Sequence, residues 1–123
     1  KMQIKRSIPI FRIFDEDKAR EFYLDWLGFK VDWEDRPEDT PIYMQISRGG
    51  LIIHLSEHYG DCCPGSRIFV AMDRPAVEAY HTELIAKDYK YMKPGLDSMP
   101  WSELTFDVTD PFGNRISFNA MKD

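Results

Sequence analysis

Cysteine is nearly absent from this chain. The 123 residues hold two, Cys62 and Cys63, side by side. A disulfide between neighbours is strained, and adjacent thiols lack the spacing of zinc ligands, so free thiols in a reducing compartment are expected. No apolar run approaches the about 20 residues that cross a bilayer, and no charged–apolar–small leader opens the sequence. A soluble, cytoplasmic protein without a membrane partner is expected. Excess positive charge is missing too, the net charge being −5. A phosphate backbone needs a basic face, so nucleic acid is excluded as the main partner. There is no Ser-His-Asp pattern, no glycine loop that would cradle phosphate, no dinucleotide fingerprint and no low-complexity segment.

What is present is a chain of globular composition, 43% hydrophobic, enough for one compact domain with a real core. Residues 8–14 (Ile-Pro-Ile-Phe-Arg-Ile-Phe) read as a first strand. Asp15 offers an N-cap, and Ala19, Phe22, Tyr23, Trp26 and Leu27 recur at helical spacing up to a terminating Gly28. Strands follow at 29–34, 42–47 and 51–56, the last two joined by Arg48-Gly49-Gly50. Residues 58–65 form a connector rich in glycine and proline. The pattern then restarts. A strand at 67–72 leads to Asp73, Pro75 and a helix whose apolar face is Val77, Tyr80, His81, Leu84 and Ile85. Strands are expected at 89–92, 101–108 and 114–119, with a loop over 93–99 and a turn at Asp110-Pro111-Phe112-Gly113.

The order is therefore β-α-β-β-β, twice, with modules at 1–57 and 66–123 in a single α+β domain. The strand Gly50-Leu-Ile-Ile-His-Leu-Ser-Glu57 has an echo at Gly113-Asn-Arg-Ile-Ser-Phe-Asn-Ala120, which lays His54 on Ser117. Alternation gives each strand an apolar face for its helix and a second, polar face that must meet solvent, a partner or a ligand.

Phe22-Tyr23 ahead of Leu27-Gly28-Phe29, and Asp110-Pro111-Phe112-Gly113-Asn114 ahead of a final strand, resemble the vicinal-oxygen-chelate superfamily. That group includes glyoxalase I, extradiol dioxygenases and bleomycin-resistance proteins. The stretch Gly-Leu-Ile-Ile-His-Leu-Ser-Glu-His from Gly50, the run Cys63-Pro-Gly-Ser66 and the segment Trp101–Leu104 are similar to the bleomycin-resistance-like members. The resemblance implies two modules curling into an open, eight-stranded mixed half-barrel, with the helices outside. In the metal enzymes of the group, strands one and four of each module supply four ligands. Those positions fall on Ile8, His54, Arg67 and Ser117. Only His54 suits a metal, so no metal cofactor and no catalytic residue are expected. The implied function is a homodimeric binding protein that sequesters a small aromatic, cationic compound of the bleomycin type. The alternative is a metal-dependent lyase or dioxygenase with shifted ligands.

Alternation then sorts the candidate ligand-binding residues. His54 shares its face with Ile52 and Ser56, and Arg67 with Phe69 and Ala71. Trp101, Glu103 and Thr105 lie opposite Leu104 and Phe106. Ser117 and Asn119 close the set, with Tyr43 and Gln45 on the first module's wall. Arg67 and Glu103 are expected to pair, as a binding element or a purely structural one. His54 could equally be an ordinary core histidine.

Overall fold

The computed structural model describes residues 1–121. It divides into two compact units, the first ending at Pro64 and the second starting at Gly65. No helix among the described residues is long and apolar enough to cross a membrane.

In the first unit, β1 is Ile10–Arg12, shorter than the expected 8–14. Pro9 has no N–H for a ladder, though its carbonyl accepts from the His54 N–H at 3.0 Å. Asp15 caps α1 (Glu16–Arg20) by accepting from the Lys18 N–H. The helix continues as a π-helical stretch over Glu21–Trp26. Ala19, Phe22, Tyr23, Trp26 and Leu27 are all buried, as the spacing predicts. The chain leaves through Gly28 at φ +79, and the Phe29 N–H reaches back to the Tyr23 carbonyl at 2.9 Å. That seven-to-one closure passes through a positive φ, which favours a residue without a Cβ.

Strands β2 (Lys30–Asp35), β3 (Tyr43–Arg48) and β4 (Leu51–Ser56) complete a sheet of order β1-β4-β3-β2. Gly49 and Gly50 make a two-residue turn between Arg48 and Leu51, both at positive φ, as a type I′ hairpin requires. Phe11, Ile13, Met44, Ile46, Ile53 and Leu55 are buried, forming the core with the helical residues.

The second unit repeats the plan. It holds β5 (Arg67–Met72), α2 (Arg74–Ala86), β6 (Asp97–Met99), β7 (Ser102–Thr109) and β8 (Arg115–Met121), in sheet order β5-β8-β7-β6. Its core is smaller and centres on Tyr80, Phe106 and Phe118, whose ring centroids lie 5.0 to 5.9 Å apart. Thus the chain is α+β, with two βαβββ modules and two four-stranded mixed sheets.

Several details differ from the sequence expectation. Residues 89–92 are not a strand; Asp88 turns the chain at φ +52, and the Asp88 N–H bonds the Ile85 carbonyl at 3.1 Å. The fourth strand lies instead at Asp97–Met99, inside the expected loop, where it pairs with Thr105 and Ser102. Trp101 is therefore not in a strand but, with Pro100, in the turn between β6 and β7. Ile85 is 43% exposed rather than on the buried face, and His81 is half-buried, its Nε2 donating to the Pro94 carbonyl at 2.7 Å.

The turn before β8 is held by one carboxylate. Buried Asp110 accepts from the Phe112 and Asn114 N–H groups through Oδ1 and from Asn114 Nδ2 through Oδ2, at 2.8 to 2.9 Å. Asp110→Ala should cost about 3 kcal/mol in urea unfolding, since three charge-assisted bonds vanish and their donors stay buried. Asp110→Asn, which keeps one acceptor without the charge, should cost less; equal losses would show that the neutral acceptor contributes nothing and the carboxylate charge carries the effect.

Candidate functional site

In the first unit, β4 sets the register. His54 lies beside Ile10 in β1 and opposite Gln45 in β3. Period-two alternation sends Ile53 and Leu55 under the helix and leaves His54, Tyr43, Gln45 and Ser47 on the other face. Tyr43 Oη lies 2.7 Å from His54 Nδ1, and His54 Nε2 lies 3.0 Å from Gln45 Oε1. Gln45 Nε2 donates to Asp32 Oδ2 at 2.9 Å, and Ser47 Oγ donates to Asp32 Oδ1 at 3.0 Å.

These bonds have one consistent direction. The Asp32 carboxylate only accepts, so Gln45 turns its amide N–H₂ toward it and its carbonyl toward His54. That carbonyl accepts from His54 Nε2–H, and Nδ1 then accepts the Tyr43 hydroxyl proton. Burial holds the His54 pKa below its ordinary value, so the ring is kept neutral. The Tyr43 phenol is pushed up by burial and then by the charges of Asp61 and Cys62, so it keeps its proton.

The Trp33 ring stacks on Tyr43 at 5.9 Å and meets His54 edge-on at 5.3 Å. Asp32 and Trp33 were not visible as site residues in the sequence. Neighbours in a regular strand point to opposite faces, but the register of β2 shifts between Val31 and Trp33. This bulge brings both to the same face. Arg12 was also missed. It is 9% exposed, in register with Ser56, and its guanidinium bonds the Ile13 carbonyl at 2.8 Å and covers the Phe14 ring at 4.5 Å. At this end Ser56 Oγ donates to Asp61 Oδ2 at 2.6 Å, which folds the connector back toward the sheet. Both cysteines are free thiols, and burial raises the pKa of Cys62.

In the second unit, Phe69 lies beside Ser117 and Asn119 lies opposite Thr105. A cleft of about 190 Å³ opens over this face, lined by Arg67, Asp97, Met99, Trp101, Asp107 and Ser117 among others. Phe69 and Trp101 are half-exposed, whereas Ser117 and Asn119 are buried. Asn119 Nδ2 donates to Ser117 O and to Ser117 Oγ, each at 3.0 Å.

The expected Arg67–Glu103 pair does not form. Arg67 faces Asp107 at 3.6 Å, and Glu103 bonds Arg74 at 2.7 Å. The two residues share a face but sit at opposite ends of the sheet: Arg67 is level with Arg115, and Glu103 lies between the partners of Met121 and Ala120. Five residues of strand place them roughly 15 Å apart. Glu103 borders a separate, shallower depression with Ala71, Arg74 and Met121.

The whole sequence, residues 1–123, matches the model of a family described as glyoxalase superfamily protein. The chain belongs to the glyoxalase superfamily. Among solved structures it is similar to the bleomycin-binding protein of bleomycin-producing Streptomyces verticillus, in complex with copper(II)-bleomycin. That likeness has 25% identity and a TM-score of 0.71, covering 99% of this chain and 100% of the other. TnmS3, an antibiotic-binding protein from Streptomyces sp. CB03234, shares 23% identity at a TM-score of 0.67, over 99% of this chain and 100% of that one. A bleomycin resistance determinant encoded on transposon Tn5 shares the fold at 16% identity and a TM-score of 0.73, over 98% and 100% of the two chains. No curated protein sequence matches the chain.

The glyoxalase-superfamily metal positions do not fit a metal here. Ile8 precedes β1, and the residue beside His54 is Ile10; the residue beside Ser117 is Phe69, not Arg67. Counted by sequence the positions offer hydrocarbon, an arginine, a buried serine and one histidine; counted by register, a phenylalanine replaces the arginine. Both nitrogens of that histidine are engaged. Among the described residues, no three His, Cys, Asp or Glu side chains gather as a metal would require.

The neutral ring has a pH consequence. Below the ordinary value of 6.5 the unfolded chain binds the His54 proton more readily than the folded one. The ring's contribution to stability is therefore complete above about pH 6.5 and is lost as pH falls through the window beneath it. Tyr43→Phe frees Nδ1, so the His54 midpoint in an NMR titration should rise relative to wild type. An unchanged or lower midpoint would mean that the Tyr43 bond does not hold the tautomer.

Proposed function

We propose that this chain is a bleomycin-resistance-like binding protein that sequesters a small aromatic, cationic compound of the bleomycin type. It works without a metal centre of its own. The observation that carries this reading is the open face of the first sheet, where His54 is locked neutral between Tyr43 and Gln45 beside the Trp33 ring. That face offers rings and fixed hydrogen-bonding groups but no open coordination position, which suits binding better than metal catalysis. The likeness to a protein crystallised with copper(II)-bleomycin supports the same ligand class. The half-exposed Phe69 and Trp101 supply further aromatic surface, with Arg67, Ser117 and Asn119 as polar neighbours. Sequestration needs affinity and abundance rather than a reacting group. The protein acts as a homodimer in the cytoplasm, where it would hold the compound away from its target.

Titration with bleomycin, followed by tryptophan fluorescence, should give a saturable change at micromolar concentration. His54→Ala should weaken binding about tenfold, because Tyr43 and Gln45 lose the hydrogen bonds that orient them on the binding face, and leave the circular dichroism spectrum unchanged. A flat titration into high micromolar drug would remove bleomycin as the ligand. Stoichiometric zinc, nickel, iron or manganese surviving dialysis would replace the binding reading with that of a metal-dependent lyase or dioxygenase.

A further inference from the structure

The cleft of the second unit is lined by two carboxylates that are free or only loosely held. The Asp97 carboxylate, at its rim in β6, has no hydrogen bond or ion pair among the described residues. Asp107 has only Arg67, at 3.6 Å, beyond hydrogen-bond length and with both side chains about half exposed. Such a pair contributes little to stability and exchanges readily. A third acceptor belongs to the same face. Asn119 is fully buried, and its Oδ1 is the one buried side-chain polar atom without a partner among the described residues. Its amide orientation is settled by chemistry: the Ser117 carbonyl can only accept, so Nδ2 must point to it, and Oδ1 is the atom left over. Asn119 is in register with Thr105 and bonded to Ser117, both of which line the cleft.

Trp101 lines the same cleft, 50% exposed in the turn between β6 and β7, with no ring or cation packed on it among the described residues. A flat cation with several N–H donors matches the two carboxylates and the indole that line the cleft. Its charge meets two carboxylates, its donors meet their oxygens, and its plane lies on an indole face. The Arg67 guanidinium already occupies part of this position, an internal example of the group that fits.

We propose that this cleft is a guanidinium-binding subsite in which Asp97 and Asp107 receive the N–H donors of the ligand's cationic arm and Trp101 covers its plane. The inference rests on the binding reading above and assigns the cation to Asp97 and Asp107 rather than to Glu103, whose carboxylate is held by Arg74. Arg67 yields Asp107 when the ligand arm enters.

Butylguanidinium and its neutral isostere butylurea, titrated into the full-length protein, test this directly. The readout is the shift of the Trp101 indole and the Asp97 and Asp107 amides in ¹⁵N–¹H spectra. Butylguanidinium should give saturable shifts at millimolar concentration, as a fragment of its size allows, and butylurea none. Asp97→Asn with Asp107→Asn should weaken butylguanidinium about tenfold, whereas Glu103→Gln should leave it unchanged. Both aspartates are exposed, so the fold should survive; the remaining spectrum reports it. Equal shifts from both probes, no shift from either, or a loss only in Glu103→Gln would overturn the proposal. Bleomycin titrated into the same samples separates the two levels. Bleomycin binding without guanidinium binding defeats the subsite alone, and guanidinium binding without bleomycin binding defeats the drug assignment alone.

Discussion

One parallel strand pair closes each module, and the chemistry of the chain depends on its register. The pairs are β1 with β4 and β5 with β8. Parallel neighbours cannot be joined by a hairpin, so each module carries a helix between its paired strands. That helix covers one face of the sheet. Period-two alternation then leaves every second side chain of β4 and β8 on the uncovered face, where His54, Ser117 and Asn119 are found. A slip of one residue would exchange these for Ile53, Ile116 and Phe118, so core packing fixes the site's register at no separate cost.

The two faces have diverged on a shared frame. In the first module, hydrogen bonds run in one direction from Tyr43 through His54 and Gln45 to Asp32, and the only full charge is at the far end. A metal at His54 would have to displace the Tyr43 hydroxyl from Nδ1 or Gln45 from Nε2, leaving a desolvated polar group behind, and it would find no second donor at Ile10. The open face of the second sheet carries no histidine; His81 lies on α2 instead. Phe69 stands where Ile10 does, and charges sit on the edge strands in Arg67 and Asp97 and on inner β7 in Asp107.

Much of this was legible in the sequence, and the gaps have a common cause. Alternation assigned His54, Tyr43 and Gln45 to one face, and helical spacing found the buried stripe of Ala19, Phe22, Tyr23, Trp26 and Leu27. What alternation cannot supply is position along a strand. Arg67 and Glu103 were correctly placed on one face and wrongly joined, because a face is several residues long and side-chain charges reach only one neighbour. It also fails where the ladder is irregular. The bulge in β2 brought Asp32 and Trp33 to one side, with no glycine or proline to signal it. Tyr89-Lys90-Tyr91-Met92 has strand-like composition, but the pairing partner of β7 was the polar segment Asp97–Met99. Short edge strands are chosen by what lies opposite them more than by their own propensity. Mistaking the segment for a loop concealed Asp97.

The distribution of acids explains how a modest net charge becomes a local one. Glu16 and Glu34 share Arg20, and Arg36 also bonds Glu16, so the acids where α1 meets β2 are neutralised pairwise. On the open face of the first sheet, Asp32 is engaged by Gln45 and Ser47, and Asp61 by Ser56. On the second, Glu103 is held by Arg74. On the second face, Asp97, and Asp107 behind its loose partner, therefore carry the negative charge left free for a ligand. An excess of acids spread over exposed surface is screened within about 10 Å at moderate salt. Two carboxylates at the rim of a cleft, beside an indole, act at contact distance, where screening is weakest and a planar cation gains most.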